Sequence, residues 1–212
     1  MTPVRDSGYW TLIHTERARL VSLLDGLTAA QWRALSLCSD WTIEQVVAHL
    51  SAAANTGRWA WVRSIVAAGF NAAKHNARLL SQYQGRTPEE TLSIFHDSIT
   101  ATIAPTKDYP AFLGEVIVHG QDIASPLGQT LLPDEKALCE VARFFATKDF
   151  AVNSKTLVKG LSLEADDVDF RIGSGPLVAG KLLDLVMALA GRPTFAAALR
   201  GEGADELRHR MS

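Results

Sequence analysis

The sequence predicts a mainly α protein: a helical bundle over residues 1–150 and a small α+β piece over 151–212. Three observations lead there. Apolar residues recur at helical spacing through most of the first part. Helix-start signals recur in the same stretch, with Thr42 ahead of Gln45, Thr87 ahead of Pro88, and further prolines at Pro110 and Pro133. After about residue 155 the pattern becomes alternating, which is the period of a strand.

Residues 8–27 place Tyr9, Ile13, Leu20, Leu24 and Leu27 on one side of a helical wheel, with Arg17 interrupting the stripe at its edge and Gly26 ending it. Thr28 to Leu35 reads as a turn or two of helix. Residues 39–70 read as one long helix bent near Gly57. Thr42 caps it, Gln45 completes a capping box, and Trp41 with Val46 forms a hydrophobic staple. Residues 71–84 are polar and helical up to Gly85. Thr87-Pro88-Glu89-Glu90 opens a helix expected to run to about Ala104, before Pro105. Residues 110–124 give a helix stopped around Pro126 and Gly128, and 133–149 give another. TLVKGLSLEA and DVDFRIGSG each alternate, which predicts a hairpin turned at Ala165 to Asp167. PLVAGKLLDLVMALAGRP starts extended and becomes a helix ending at Gly191; a short helix and a tail follow.

Composition excludes several functions. The chain has 212 residues, 47% hydrophobic and 21% charged, which is ordinary globular usage. A net charge of −2 attracts neither nucleic acid nor an anionic membrane. The cysteines, Cys38 and Cys139, form no CxxC, which argues against a thiolate zinc site or a disulfide framework. No apolar stretch suits a signal peptide or a membrane span, so a soluble cytoplasmic protein is expected.

Two of the six histidines stand out. His14, His75, His96 and His209 lie in polar surroundings and read as surface residues. His49 lies in VVAHLSAAA and His119 in EVIVHGQDIA, both apolar. An imidazole buried there must find a partner. Glu115 precedes His119 by four residues, so both project from one helix face. Helix-borne pairs of this kind are how bundles build internal metal sites. Two histidines and one carboxylate would leave coordination positions open. A structural His49–Glu115 pair, or a surface hydrogen bond between Glu115 and His119, satisfies the same spacing.

Three segments carry a family resemblance. CSDWTIEQVVAHL (38–50) resembles the N-terminal signature of the mycothiol-dependent maleylpyruvate isomerase family, a branch of the DinB superfamily. EVIVHGQDIASPLG (115–128) resembles its second signature, and residues 160–193, ending Ala-Gly-Arg, resemble its C-terminal segment. The resemblance implies a DinB-like four-helix bundle with a small C-terminal α+β appendage. It implies that His49, Glu115 and His119 ligate a divalent metal, with zinc expected, and that mycothiol or a similar thiol is the cosubstrate. Arg192 matches the family's terminal arginine and would hold a substrate carboxylate, unless it only neutralises a helix end. Asp122 would orient a ligand histidine, or else cap or pair with a neighbouring helix. Gln45 is a candidate to line the substrate pocket, alongside its capping role. A homodimer is compatible with the resemblance.

The chemistry so implied is thiol addition to a small electrophile, giving cis–trans isomerisation or S-transfer. A hydrolase using a metal-activated water, or a non-enzymatic metal-binding or regulatory protein, stands as the alternative. Cys38, just before the helix start, reads as a small buried residue rather than a nucleophile.

Overall fold

In the computed structural model, residues 6–38, 41–69 and 71–212 are described. Helix α1 spans Asp6–Leu24 and buries Ile13, Leu20 and Leu24. A short α2, Ala29–Trp32, is closed by a capping box between Thr28 and Gln31. Helix α3 spans Ile43–Asn55, with the Thr42/Gln45 capping box in place. The helix expected over 39–70 is not continuous. It breaks at Thr56, which is extended, and restarts with Gly57 as the cap of α4, Arg58–Ala67. A β-branched residue followed by glycine is a poor helix pair, so a break costs less there than a bend. Residues 39, 40 and 70 of that expected helix lie outside the described residues. Helix α5 follows over Ala72–Tyr83.

Helix α6, Pro88–Asp97, starts at the expected proline but ends before Ala104. The carbonyls of Ser98, Ile99 and Ala101 turn instead to Nη1 of Arg17, at 3.0, 3.5 and 2.9 Å. Arg17, expected at the edge of its stripe, is therefore inside, with 4% of its surface exposed. Helix α7 covers Tyr109–Ala124, and a single 3₁₀ turn, Ser125–Leu127, ends at Gly128 in the left-handed region.

Helices α1, α3, α6 and α7 form the four-helix bundle: α1 packs on α6 and α7, and α3 packs on the same two. Its core includes Leu20, Leu24, Val46, Val47, Phe95 and Ile123. Phe95 is completely buried, a burial of roughly 2 kcal/mol or more.

The chain divides into two compact units, Met1–Leu132 and Pro133–Ser212. In the second, α8 is Glu135–Thr147 and α9 is Ser154–Leu157. Three strands follow: β1, Ser162–Ala165; β2, Arg171–Gly173; and β3, Leu177–Gly180. Then come α10, Leu182–Leu189, α11, Pro193–Ala196, and α12, Ala204–Met211. The expected domain boundary near 150 would put α8 in the first unit. It belongs to the second, where it packs on α10, α9 and β2.

The predicted hairpin forms, with β1 antiparallel to β2 and Leu163 opposite Ile172. It is shorter than expected, because Thr156 and Leu157 are helical and the turn falls after Ala165. The extended start of the last segment becomes β3, parallel to β1, in a sheet of order β2-β1-β3. Among the described residues no helix is long and apolar enough to cross a membrane.

Candidate metal centre

The capping box at Thr42 fixes where α3 begins, and His49 follows on the second turn of that helix. Thr42 N–H donates to Oε1 of Gln45 at 2.9 Å, and Gln45 N–H donates to Oγ1 of Thr42 at 3.3 Å. Trp41, just before the cap, is half-buried and lies ring to ring with His49, 5.1 Å between centroids. The preceding segment is pinned to α7, since Leu37 N–H donates to the Asp122 carbonyl at 3.0 Å. Gly120 lets a neighbouring side chain come close beside His119: a Cβ there would meet Leu131 Cδ2 at 2.8 Å.

Three side chains from two helices then converge. His49 Nε2 lies 3.2 Å and His119 Nε2 3.3 Å from the same oxygen, Oε2 of Glu115. The two imidazoles stand nearly perpendicular, their centroids 5.0 Å apart. Each residue offers one ligand atom, and the three atoms lie within 4.8 Å of one another. Nitrogen and oxygen ligands each about 2.1 Å from a tetrahedral ion sit roughly 3.4 Å apart, so this donor set fits a divalent ion with little movement. Two imidazoles and a carboxylate also suit zinc-like ions chemically.

Electrostatics bind the three together. Burial pushes the Glu115 carboxyl up, but hydrogen bonds from His119 and His49, with their charges, hold it far below the usual carboxylate range. Burial pulls the His119 imidazole down; Asp122, the Cys38 thiol and Glu115 together raise it well above its ordinary value. Asp122 is completely buried, and its Oδ2 lies 2.9 Å from His119 Nδ1.

The structure also places residues that the sequence did not single out for this site. Cys38 is half-buried, and its sulfur lies within 4.8 Å of ligand atoms of His119 and Asp122. Its position three residues before Trp41 was the signal available. Arg17 lines one cavity with Glu115, Leu50 and Phe112. There the signal was a charge interrupting an apolar stripe.

Gln45 and Arg192 each have a local task. Gln45 spends Oε1 on the helix cap. Gly191, at positive φ, ends α10, with Arg192 N–H bonded to the Met187 carbonyl and Gly191 N–H to that of Ala188. The Arg192 guanidinium donates to the Ala190 carbonyl at 2.6 Å, at the helix C-terminus. His96 and His209 are exposed, as expected. His75 is not a surface residue: it is buried with Nδ1 unpartnered, edge-on to Trp61. Trp61, which lies on another helix and so leaves no trace in the polar sequence around His75, packs against it. His14 is half-buried and its Nε2 is sequestered.

Helical bundle, inward-facing His/Glu/His cluster and buried acid behind one histidine together define a DinB-like fold whose clustered donor atoms suit a divalent ion. Residues 13–111 match the mycothiol maleylpyruvate isomerase N-terminal domain, a span that includes His49 and ends before Glu115. The chain is thus similar to that family's N-terminal domain over just under half of its length. Its fold is that of two crystal structures of the mycothiol-dependent maleylpyruvate isomerase, one of them a histidine-to-alanine mutant. Each is 15% identical, with a TM-score of 0.64, over 96% of this chain and 97% of the other. No curated protein matches the chain.

Proposed function

We propose that the chain is a metal-dependent enzyme that uses mycothiol, or a similar small thiol, to isomerise or S-conjugate a small carboxylate-bearing electrophile. One observation carries this reading: His49 Nε2 and His119 Nε2 converge on a single Glu115 oxygen, at 3.2 and 3.3 Å. A divalent ion on those ligands, zinc by expectation, supplies a Lewis acid that favours the thiolate form of a thiol cosubstrate.

The chain's own residues do the rest. Asp122 holds His119 at Nδ1, which leaves Nε2 turned toward Glu115. Trp41 stands against the His49 ring and restricts its rotation. Leu50, Phe112 and Val116 form apolar surface beside Glu115. Arg192 is the residue that the family resemblance assigns to the substrate carboxylate. In the reaction, sulfur and a proton add across an activated double bond. The new single bond rotates, and loss of both returns the opposite geometric isomer with the thiol regenerated. Release of the adduct instead gives an S-conjugate.

The test is turnover of maleylpyruvate by metal-loaded protein with and without mycothiol. Thiol-dependent isomerisation, abolished in His49→Ala, is expected. Turnover of esters or amides with no thiol present would replace this reading with a metal-dependent hydrolase.

A further inference from the structure

Helix α4 is built inside out. Its sequence, RWAWVRSIVA, is largely apolar, yet the residue it buries is Ser64. Trp59 is 76% exposed, Val66 55% and Trp61 41%. Trp59, Val62 and Val66 stand at i, i+3 and i+7 and so form one apolar ridge along the helix. At 100° per residue, Arg58 and Arg63 fall on opposite sides of that ridge. The body of the protein reaches α4 chiefly through α5, and the ridge lies on the side that is left open. Clustered exposed apolar side chains mark an interaction face, where single ones would not.

The charge around the ridge has one sign. The net charge of −2 conceals an uneven distribution: from Gln45 to Pro88 the sequence has no Asp or Glu but five cations, Arg58, Arg63, Lys74, Arg78 and Arg86. Arg86 is matched by Glu90 at 2.8 Å. The other four are exposed, and among the described residues no carboxylate pairs with them. The Arg58 guanidinium lies 5.8 Å from the centroid of the Trp59 ring. Whole-chain charge governs attraction at a distance, but within a Debye length the local sign decides. The lack of attraction to an anionic membrane, expected from net charge, therefore does not extend to this face.

We infer that α4 is a docking face for an anionic lipid bilayer, lying in the plane of its surface with the ridge of Trp59, Val62 and Val66 turned inward. Indole rings favour the membrane interface, and a basic side chain beside an anionic leaflet adds attraction. Arginines flanking an apolar ridge can lay their stems along it and keep their charge at the headgroups. A helix with both features rests on the interface and does not cross it. A second copy of the chain seated symmetrically on this face would set arginine against arginine. A nucleic acid would use the cations and the indoles but gives Val62 and Val66 no partner. The inference is independent of the metal and thiol reading, since lipid binding needs neither.

The test is co-sedimentation of full-length protein with vesicles of phosphatidylcholine alone and of phosphatidylcholine with phosphatidylglycerol in equal parts. Wild type should bind the anionic vesicles at least about tenfold more tightly, as a pair of arginines at an anionic surface would give, and added salt should release it. Arg63→Glu should weaken that binding at least about tenfold. Trp59→Ser keeps every charge and should also weaken it at least about tenfold, through lost apolar insertion. Both side chains are exposed, so both variants should fold, and melting temperatures check this. No preference of wild type for the anionic vesicles would overturn the inference. So would a folded Trp59→Ser that binds them as wild type does, because the face would then be purely electrostatic and would fit an acidic protein or a nucleic acid instead.

Discussion

Asp122 lies three residues after His119 on one helix, completely buried, with its Oδ2 2.9 Å from the histidine's Nδ1. A buried carboxylate in that place sets both the tautomer and the orientation of a ligand imidazole. Asp122→Asn keeps the shape and removes the charge. It should lower metal affinity roughly 10- to 100-fold while the fold persists. Competition against a chromophoric chelator measures this, and unchanged affinity would reduce Asp122 to a packing residue.

The pH dependence of metal binding follows from the same cluster. His119 is raised well above its ordinary value in the metal-free protein, so a metal must displace its proton. Affinity should therefore rise with pH through the neutral range. Stability of the metal-free protein carries the matching signs. The contribution of His119 is full below its unfolded value and is lost as pH rises through the raised folded one. That of Glu115 is present above its unfolded value and is lost as pH falls toward its depressed folded one. Chelator competition across pH checks the first statement, and denaturation of metal-free protein checks the second.

His75 should make the protein sensitive to mild acid. Burial lowers its imidazole, outweighing a nearby Ser64 carbonyl, and the charge of His49 adds to the lowering. With the folded value below the unfolded 6.5, stability is intact above that pH and declines as pH falls below it. His75→Phe should narrow the difference in urea stability between about pH 8 and about pH 5. His14 is shifted in the same direction by burial, so some acid sensitivity should persist.

The start of α3 is a distinct stability element. Thr42→Ala removes the cap and should cost about 1 kcal/mol in urea denaturation. Gln45→Ala removes only the reciprocal bond and should cost less. Both should retain metal, because His49 sits on the second turn, away from a frayed end.

What could be read from the sequence depended on the range of the interactions. The α3 cap, the Pro88 start of α6 and the strand-then-helix order near residue 180 are local, and each appears as expected. The bundle itself, and Asp122 behind His119, were also legible, because i,i+3 and i,i+4 spacing fixes neighbours on one helix. The early end of α6 was not, since its cause is a guanidinium on α1, far away in sequence. Nor was the burial of His75, which depends on Trp61 from another helix. The place of α8 in the second unit likewise depends on packing against α10, which its own amphipathic pattern does not specify.

The central claim is that His49, Glu115 and His119 hold one divalent ion. Elemental analysis of the purified full-length protein after metal loading and desalting, wild type beside His49→Ala, tests it most directly. Stoichiometric metal in the wild type and its loss from a folded His49→Ala is the expected result. A wild type that retains no metal, or a mutant that retains as much, would contradict the claim.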